Sequence, residues 1–507
     1  MRHNNVHCAS HRCFHALLLL ISILLGGCAT KVGPDFKSPE IAMPEKWQNA
    51  DKQNMKYIDF REWWKLFNDP TLNQLIDMAY KQNLNLQIAW VRIIEARAQL
   101  GLSRGSLFPQ KQQVYSEMVY NKLSEHMPNL NTFSFGSFNI GFDALWEVDI
   151  WGKFRRGIEA ANANLGATEL TYDDMLVTLT AEVAATYVQI RTFQQRLILA
   201  NKNAELQARS VKITQALLRN GLGNDLDVQQ AESLLHNTKA MIANLEAGLQ
   251  QSKNALNILL GKMPGSINAL FNEDKPVPTT VQAITVGIPA DILRRRPDVR
   301  CEELKAAAQS ALIGVSRADL FPQLYLQGSI GMASSSANGV DIVDVLGAQT
   351  LIGKVGPSVN WPILNYGRLK NGVRIQDARF EQLLIGYKES VLLALRETED
   401  ALIGFHKMNE QVKELQQGVD ASQHAVKLSM LQYRNGIKDY TRVLMAEQTL
   451  VQQQDKLKSS QGETARYIIA LYKALGGGWD NRLGKDMVSH EIKTEMKKRT
   501  DWGNILD

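Results

Sequence analysis

The chain has 507 residues, of which 45% are hydrophobic, with 57 Lys and Arg against 52 Asp and Glu. This balance is mixed and only mildly basic, which argues against a nucleic-acid surface. Beyond residue 27 no run of about 18 apolar residues occurs, so no helix of the mature chain is expected to span a bilayer.

Residues 1–27 read as an address. Arg2 and Arg12 precede a short apolar run, Ala16 to Leu25, which has signal-peptide proportions and is too short to span. It ends in Leu25-Gly26-Gly27-Cys28 followed by Ala29, which resembles the lipobox of bacterial lipoproteins. That resemblance implies cleavage before Cys28 and a covalent lipid (diacylglycerol and an N-acyl chain) on it. Ala29, rather than Asp, resembles the sorting preference for the outer membrane. Each buried methylene contributes about 0.8 kcal/mol, so several chains on one cysteine hold firmly. Cys8 and Cys13 leave with the leader and Cys28 would carry the lipid, so only Cys301 remains, too few for a structural disulfide. His3, His7, His11 and His15 recur every four residues and would line one side of a helix as metal ligands. They too lie in the leader, and the mature protein is expected to hold no metal.

Residues 28–70, with Pro34, Pro39 and Pro44, cannot continue a helix and read as a lipid-anchored linker. A first repeat then spans 71–261, an inter-repeat linker 262–290, a second repeat 291–478, and a polar, loosely held tail 479–507. Each repeat opens with a helical pattern. In the first, Leu72, Leu75, Ile76 and Ala79 continue through Leu86, Ala89, Ile93, Ala96 and Leu100 as one helix, stopping near Leu107-Phe108-Pro109-Gln110. In the second, Arg295-Arg296-Pro297 with local ion pairs precedes Asp298 as N-cap. Ala306, Ala307, Ala308, Ala311 and Gly314 give that helix one small flank, and it stops at Leu320-Phe321-Pro322-Gln323.

After each Phe-Pro the period shortens to two. Val114 to Tyr120 has strand composition, and Phe138, Ile140, Phe142, Ala144 and Trp146 alternate cleanly with polar or small residues. Leu324 to Met332 and Val355 to Trp361 alternate in the same way. Each repeat therefore carries one hairpin of about ten residues per strand, enough to cross a membrane at a tilt. Trp146-Glu147-Val148-Asp149-Ile150-Trp151-Gly152 and Trp361-Pro362-Ile363-Leu364-Asn365-Tyr366-Gly367 form matching corners, whose aromatics suit a membrane–water interface. Long helical patterns follow. Leu176, Thr180, Val183, Tyr187 and Ile190 form a stripe with its copy at Val391, Leu395, Thr398, Leu402 and Phe405. Each long helix breaks at an Arg-Asn-Gly: Arg219-Asn220-Gly221 recurs 215 residues on as Arg434-Asn435-Gly436. The chain is one long unit used twice.

An open sheet edge in lipid leaves backbone groups unpaired, and four strands are too few for a barrel, so several chains must share one. The expected fold class is mostly α with a β part: a long α-helical barrel plus a transmembrane β-barrel assembled from three chains, two structural repeats per chain. The lipobox, the Leu293 to Asp298 segment, both Phe-Pro helix ends, the Trp361 to Gly367 corner and both Arg-Asn-Gly tips resemble the TolC-like outer-membrane factor family, in particular its lipidated OprM/NodT-type efflux channels. The resemblance implies a homotrimer, closed at its lower end, joined by a periplasmic adaptor to an inner-membrane pump of RND type. Adaptor docking is then expected at Gly221, Leu222, Gly223, Gly436 and Ile437. Acidic residues at that level, Asp225, Asp227 and Asp439, are candidates for selecting cations or closing the mouth, with helix capping the stronger reading for Asp225 and Asp439. Related channels carry an inward aspartate where this chain has Met445, so Asp227, Asp439, Arg442 and Met445 are the aperture candidates. No phosphate loop, nucleophile elbow or metal-ligand spacing points to an enzyme or a cofactor other than the lipid. Two alternatives stand beside the efflux duct: a type I protein-secretion duct, and a structural periplasmic lipoprotein without membrane-crossing strands.

Overall fold

The computed structural model describes residues 31–48, 60–124, 126, 134–279, 295–338, 347–482 and 490–506. The leader, Cys28 and Arg294 lie outside these described residues. The first helical pattern is two helices, α1 (Pro70–Gln82) and α2 (Leu84–Gly105), rather than one. Asn83 makes the break. Its backbone leaves the helix at ψ 123°, its side-chain oxygen accepts the Leu86 amide at 2.9 Å, and its amide nitrogen donates to the Leu259 carbonyl at 2.9 Å. Asp69 caps α1 from outside by accepting the Thr71 and Leu72 amides, ahead of a proline at the first helical position.

Strands β1 (Lys111–Lys122) and β2 (Ser134–Val148) follow, then helices α3 (Lys153–Arg219) and α4 (Asp225–Leu259). The second repeat gives α5 (Pro297–Ala318), β3 (Gln323–Ser335), β4 (Leu351–Asn360), α6 (Arg368–Arg434) and α7 (Tyr440–Ala474). A short helix, α8 (His490–Arg499), comes last. Helices α3 and α6 are each 67 residues, and α4 and α7 each 35. At 1.5 Å per residue the longer pair runs about 100 Å. Asp298 is not the N-cap of α5, because the helix begins one residue earlier at Pro297.

The strands form a single antiparallel sheet in the order β1-β2-β3-β4, so the two hairpins are joined through β2 and β3. Its register sorts the side chains. Val114 pairs with Phe142, Phe142 with Ile330, Met118 with Phe138, Trp146 with Leu326 and Met332 with Leu351, and residues paired across strands share a face. That face is apolar from β1 to β4. The other carries Gln113, Glu117, Asn139, Asp143, Gln327, Ser329, Lys354 and Ser358. Among the described residues β1 and β4 each have one neighbour, leaving both outer edges unpaired.

The chain divides into two compact units, and each draws on both repeats. The first (1–40, 93–167, 302–387) holds the sheet and the N-terminal segment. That segment is clamped from Val32 onward rather than free: its amide donates to the Trp151 carbonyl at 3.1 Å. The buried Arg156 guanidinium donates to the carbonyls of Val32 and Gly33 and to the carboxylates of Asp35 (2.8 Å) and Glu159 (2.9 Å). The small flank of α5 is explained here, since a Cβ on Gly33 would lie 2.4 Å from Gly314 Cα. At the corners, Trp146 and Trp361 each donate their indole N–H at 3.1 Å, to the carbonyls of Leu107 and Leu320.

The second unit (41–92, 168–301, 388–507) contains the larger core. Leu72, Leu75 and Ile76 of α1, Leu176, Val183, Tyr187 and Ile190 of α3, and Val391 and Leu402 of α6 are buried, as the two stripes require. Trp63 stacks on Tyr472 at 5.4 Å. The C-terminal stretch departs from the expectation of a loose tail: Met496 and Leu506 are buried, and Trp502 donates to the Met496 carbonyl at 3.1 Å. Its apolar side chains, sparse in the sequence, are the ones that pack.

Asp174 on α3 has its carboxyl pushed up to about 6, first by burial and then by the Asp298 charge, against the pull of Arg296 and Lys473. The folded state therefore favours the protonated acid. That contribution is complete below about pH 4 and is lost as pH rises through about 6. Asp174→Asn is expected to raise stability by about 2 kcal/mol near pH 8 and to leave it unchanged near pH 4. Urea unfolding midpoints at the two pH values check this; an equal effect at both would contradict it.

Candidate functional site

The second unit brings both helix tips into one description. Each is closed by a glycine in the left-handed region. Gly221, at φ +70°, donates to the Leu218 carbonyl at 3.0 Å, and the Leu222 amide reaches back to Leu217 at 2.9 Å. Gly436, also at φ +70°, donates to Tyr433 at 2.9 Å, and Ile437 to Gln432 at 2.9 Å. This paired closure satisfies the last carbonyls of a helix and favours glycine, which is why Arg-Asn-Gly recurs. It leaves Leu222 and Ile437, equivalent in the two repeats, 77% and 63% exposed.

The caps differ. Asn224, not Asp225, is the N-cap of α4, and its side-chain oxygen accepts the Asp227 amide at 2.9 Å. Asp225 is the first residue of the helix and is exposed. Asp439 holds the equivalent N-cap position of α7 but makes no side-chain cap bond. Arg442 and Met445 lie exposed on the first turns of α7.

Asp227 has a partner in the other repeat. The Tyr433 hydroxyl, on the last turn of α6, donates to Asp227 Oδ2 at 3.0 Å, tying that turn to the first turn of α4. Burial, and then the bond to this carboxylate, push the Tyr433 phenol well up, so it stays a donor at neutral pH. Its ring meets Tyr440 edge-on at 5.2 Å, and Val211, Ala231 and Val443 pack around the pair. Behind them α3 and α7 share a polar seam. Ser210 donates to the buried Glu447 at 2.6 Å, Asn203 to Gln454 at 2.9 Å, and Arg196 forks onto Asp455 at 2.7 and 3.0 Å. Burial raises the Glu447 carboxyl, while the Ser210 hydroxyl pulls it down.

The structure therefore joins Asp227 to Tyr433. It places Asp439, Arg442 and Met445 on the exposed surface of α7, with no ion pair between Asp227 and Arg442 among the described residues. Tyr433 and Tyr440 were not singled out by the sequence. Their signal lay where the repeats stop matching, because they occupy the positions of Leu218 and Asp225 in the first copy.

A four-stranded sheet with one apolar and one polar face, in a chain whose long helices repeat to the residue, is the pattern of an outer-membrane channel subunit. The chain belongs to the outer membrane efflux protein family, whose model matches residues 75–262 and 288–477. It is similar to Nodulation protein T of Rhizobium leguminosarum bv. trifolii, at 30% identity over 90% of this chain and 96% of that protein. It is also similar to the pyoverdine export outer membrane protein OpmQ of Pseudomonas putida, at 30% identity over 92% and 97%. Among solved structures, the outer-membrane channel OprN superposes with a TM-score of 0.81 at 31% identity, covering 89% of this chain and 99% of that one.

Proposed function

We propose that the chain is the outer-membrane channel subunit of a tripartite efflux system, a passive exit duct for small molecules such as drugs rather than an enzyme. The observation that carries this reading is the sheet, with its continuous apolar face, its polar face and its two edges that are unpaired among the described residues. Such a sheet is stable in lipid only if further copies close it. Three copies supply twelve strands, within the range of known barrels. Exposed apolar residues along α6, among them Ile385, Leu392 and Leu428, suit contact with a neighbouring copy. The matched tips at Gly221, Leu222, Gly223, Gly436 and Ile437 offer the adaptor the same turn in each repeat, and the adaptor in turn meets an inner-membrane pump of RND type. A structural spacer has no use for a sheet of this kind.

Planar-bilayer recording of the purified protein tests the duct, and absence of conductance would remove it. Val355, in the middle of β4 on the apolar face, is 91% exposed. Val355→Arg is expected to cost about 2–4 kcal/mol per chain at the bilayer midplane and to cut the yield of membrane-inserted channel. Normal insertion of that variant would place the face away from lipid.

The lipid on Cys28 belongs to the same reading. Lys31 stands three residues after it, and three residues span at most about 11 Å. Val32, four residues after Cys28 in the sequence, is held at the Trp151 carbonyl beside the sheet-to-helix corner, which supports this reading. Mass spectrometry of the mature N-terminus tests this; an unmodified Cys28 would count against it.

A further inference from the structure

The polar face of the sheet carries a charge pattern that the duct reading leaves unused. One row across all four strands reads Gln113, Asp143, Ser329 and Lys354, each paired with the next. Lys111 and Gln327 stand in the adjoining row, where Leu145 pairs with both. Lys111, Asp143, Gln327, Ser329 and Lys354, with Leu145, line an open recess of about 230 Å³. Lys111 Nζ lies 4.0 Å from Asp143 Oδ2. Lys354, at the other end of the row, has no ion pair among the described residues, so the recess holds two ammonium groups and one carboxylate. On the far side the next row reads Tyr115, Gly141, Gly331 and Ile352, and the Tyr115 ring leans over Gly141, where a Cβ would lie 3.1 Å from its Cε1.

The other acids of this face do not neutralise it. Glu117 lies four residues along its strand from the row, about 13 Å away. That exceeds the screening length at physiological salt, about 8 Å. Glu147, two residues along β2 from Leu145 and so about 7 Å from the row of Lys111, is instead paired with Lys153 at 3.4 Å.

We infer that Lys354 and Lys111, flanking Asp143, form a cationic belt inside the barrel that draws small anions, such as carboxylate- or sulfonate-bearing solutes, and gives the barrel its own charge preference. This rests on the duct reading, which turns the apolar face to lipid and so turns the recess to the lumen. A wall of one charge sign in a confined pore concentrates the opposite ion, and side chains of the lumen set barrel selectivity.

The belt is tested with Ser329→Cys in the full-length protein in liposomes. Its labelling by an anionic and a cationic methanethiosulfonate is compared, after subtracting the rates of the parent chain, whose Cys301 is buried. The anionic reagent is expected to react faster by about tenfold relative to its rate on a free thiol. The preference should vanish when Lys111→Gln and Lys354→Gln are added, and reverse with Lys354→Glu. In planar bilayers the chloride-to-potassium permeability ratio should fall about threefold or more in the double glutamine variant. Lys497→Gln, on α8 outside the sheet, should leave both readouts unchanged. Equal labelling by the two reagents in every variant, or a permeability ratio indifferent to both lysines, would overturn the belt. Loss of all conductance with the labelling preference intact would instead remove the duct and leave the belt standing.

Discussion

Tyr433→Phe is expected to raise the open fraction of the channel by about tenfold, seen as a matching rise in macroscopic conductance across planar bilayers. The change removes one hydroxyl. That hydroxyl donates to Asp227 at 3.0 Å and ties the second tip to the first. A hydrogen bond to a charged acceptor is worth about 1.5–3 kcal/mol. If it is made only when the tips are together, its loss shifts a closed-to-open equilibrium by tenfold or more. The ring stays, so the edge-on contact with Tyr440 and the packing on Val211 and Val443 are kept. Asp227→Asn weakens the same bond from the other side and should give a similar rise. Because both changes break one contact, the double variant should exceed neither single one by much. Met445→Ala, exposed and outside this contact, should do little. An unchanged conductance in Tyr433→Phe would show that this bond does not hold the mouth.

Much of the fold was legible because its signals are periodic and doubled. A stripe such as Leu176, Val183, Tyr187 and Ile190 states a helix face once, and its copy 215 residues later states it again. The strands were legible for the same reason, since alternation from Phe138 to Trp146 already contains the apolar face that the register completes. What periodicity does not carry was missed. The break at Asn83 is one side chain bonding in two directions, invisible in a helical pattern that continues past it. The clamp on the N-terminal segment depends on Arg156 meeting carbonyls about 120 residues away in sequence. At the tips the Arg-Asn-Gly turns were plain, because the closure favours glycine. The bond that crosses them was not, because it joins Asp227 of one repeat to Tyr433 of the other and neither repeat contains the pair.

Replacing Arg296 is expected to have the largest effect on stability: Arg296→Met should lower it by about 3–5 kcal/mol, the usual cost of removing one partner from a buried charged network. The guanidinium is buried and forks onto Asp298 at 3.0 and 2.6 Å. It also donates to Glu397 of α6 at 2.7 Å and to the Ala474 carbonyl, the last residue of α7, at 3.0 Å. One side chain thus joins the start of α5 to two other helices. Burial works against its charge, but Asp298 and Glu397 outweigh that and hold the guanidinium above even the usual arginine range. The fork matters as well as the charge. Arg296→Lys keeps a cation but cannot donate in three fixed directions, and is expected to recover less than half of the loss. Glu397 is nearly half exposed, so Glu397→Gln should cost under about 1 kcal/mol. Thermal unfolding followed by helical circular dichroism in detergent ranks the three variants. The reasoning fails if Arg296→Met unfolds within about 1 kcal/mol of the parent, or if Glu397→Gln proves the more damaging change.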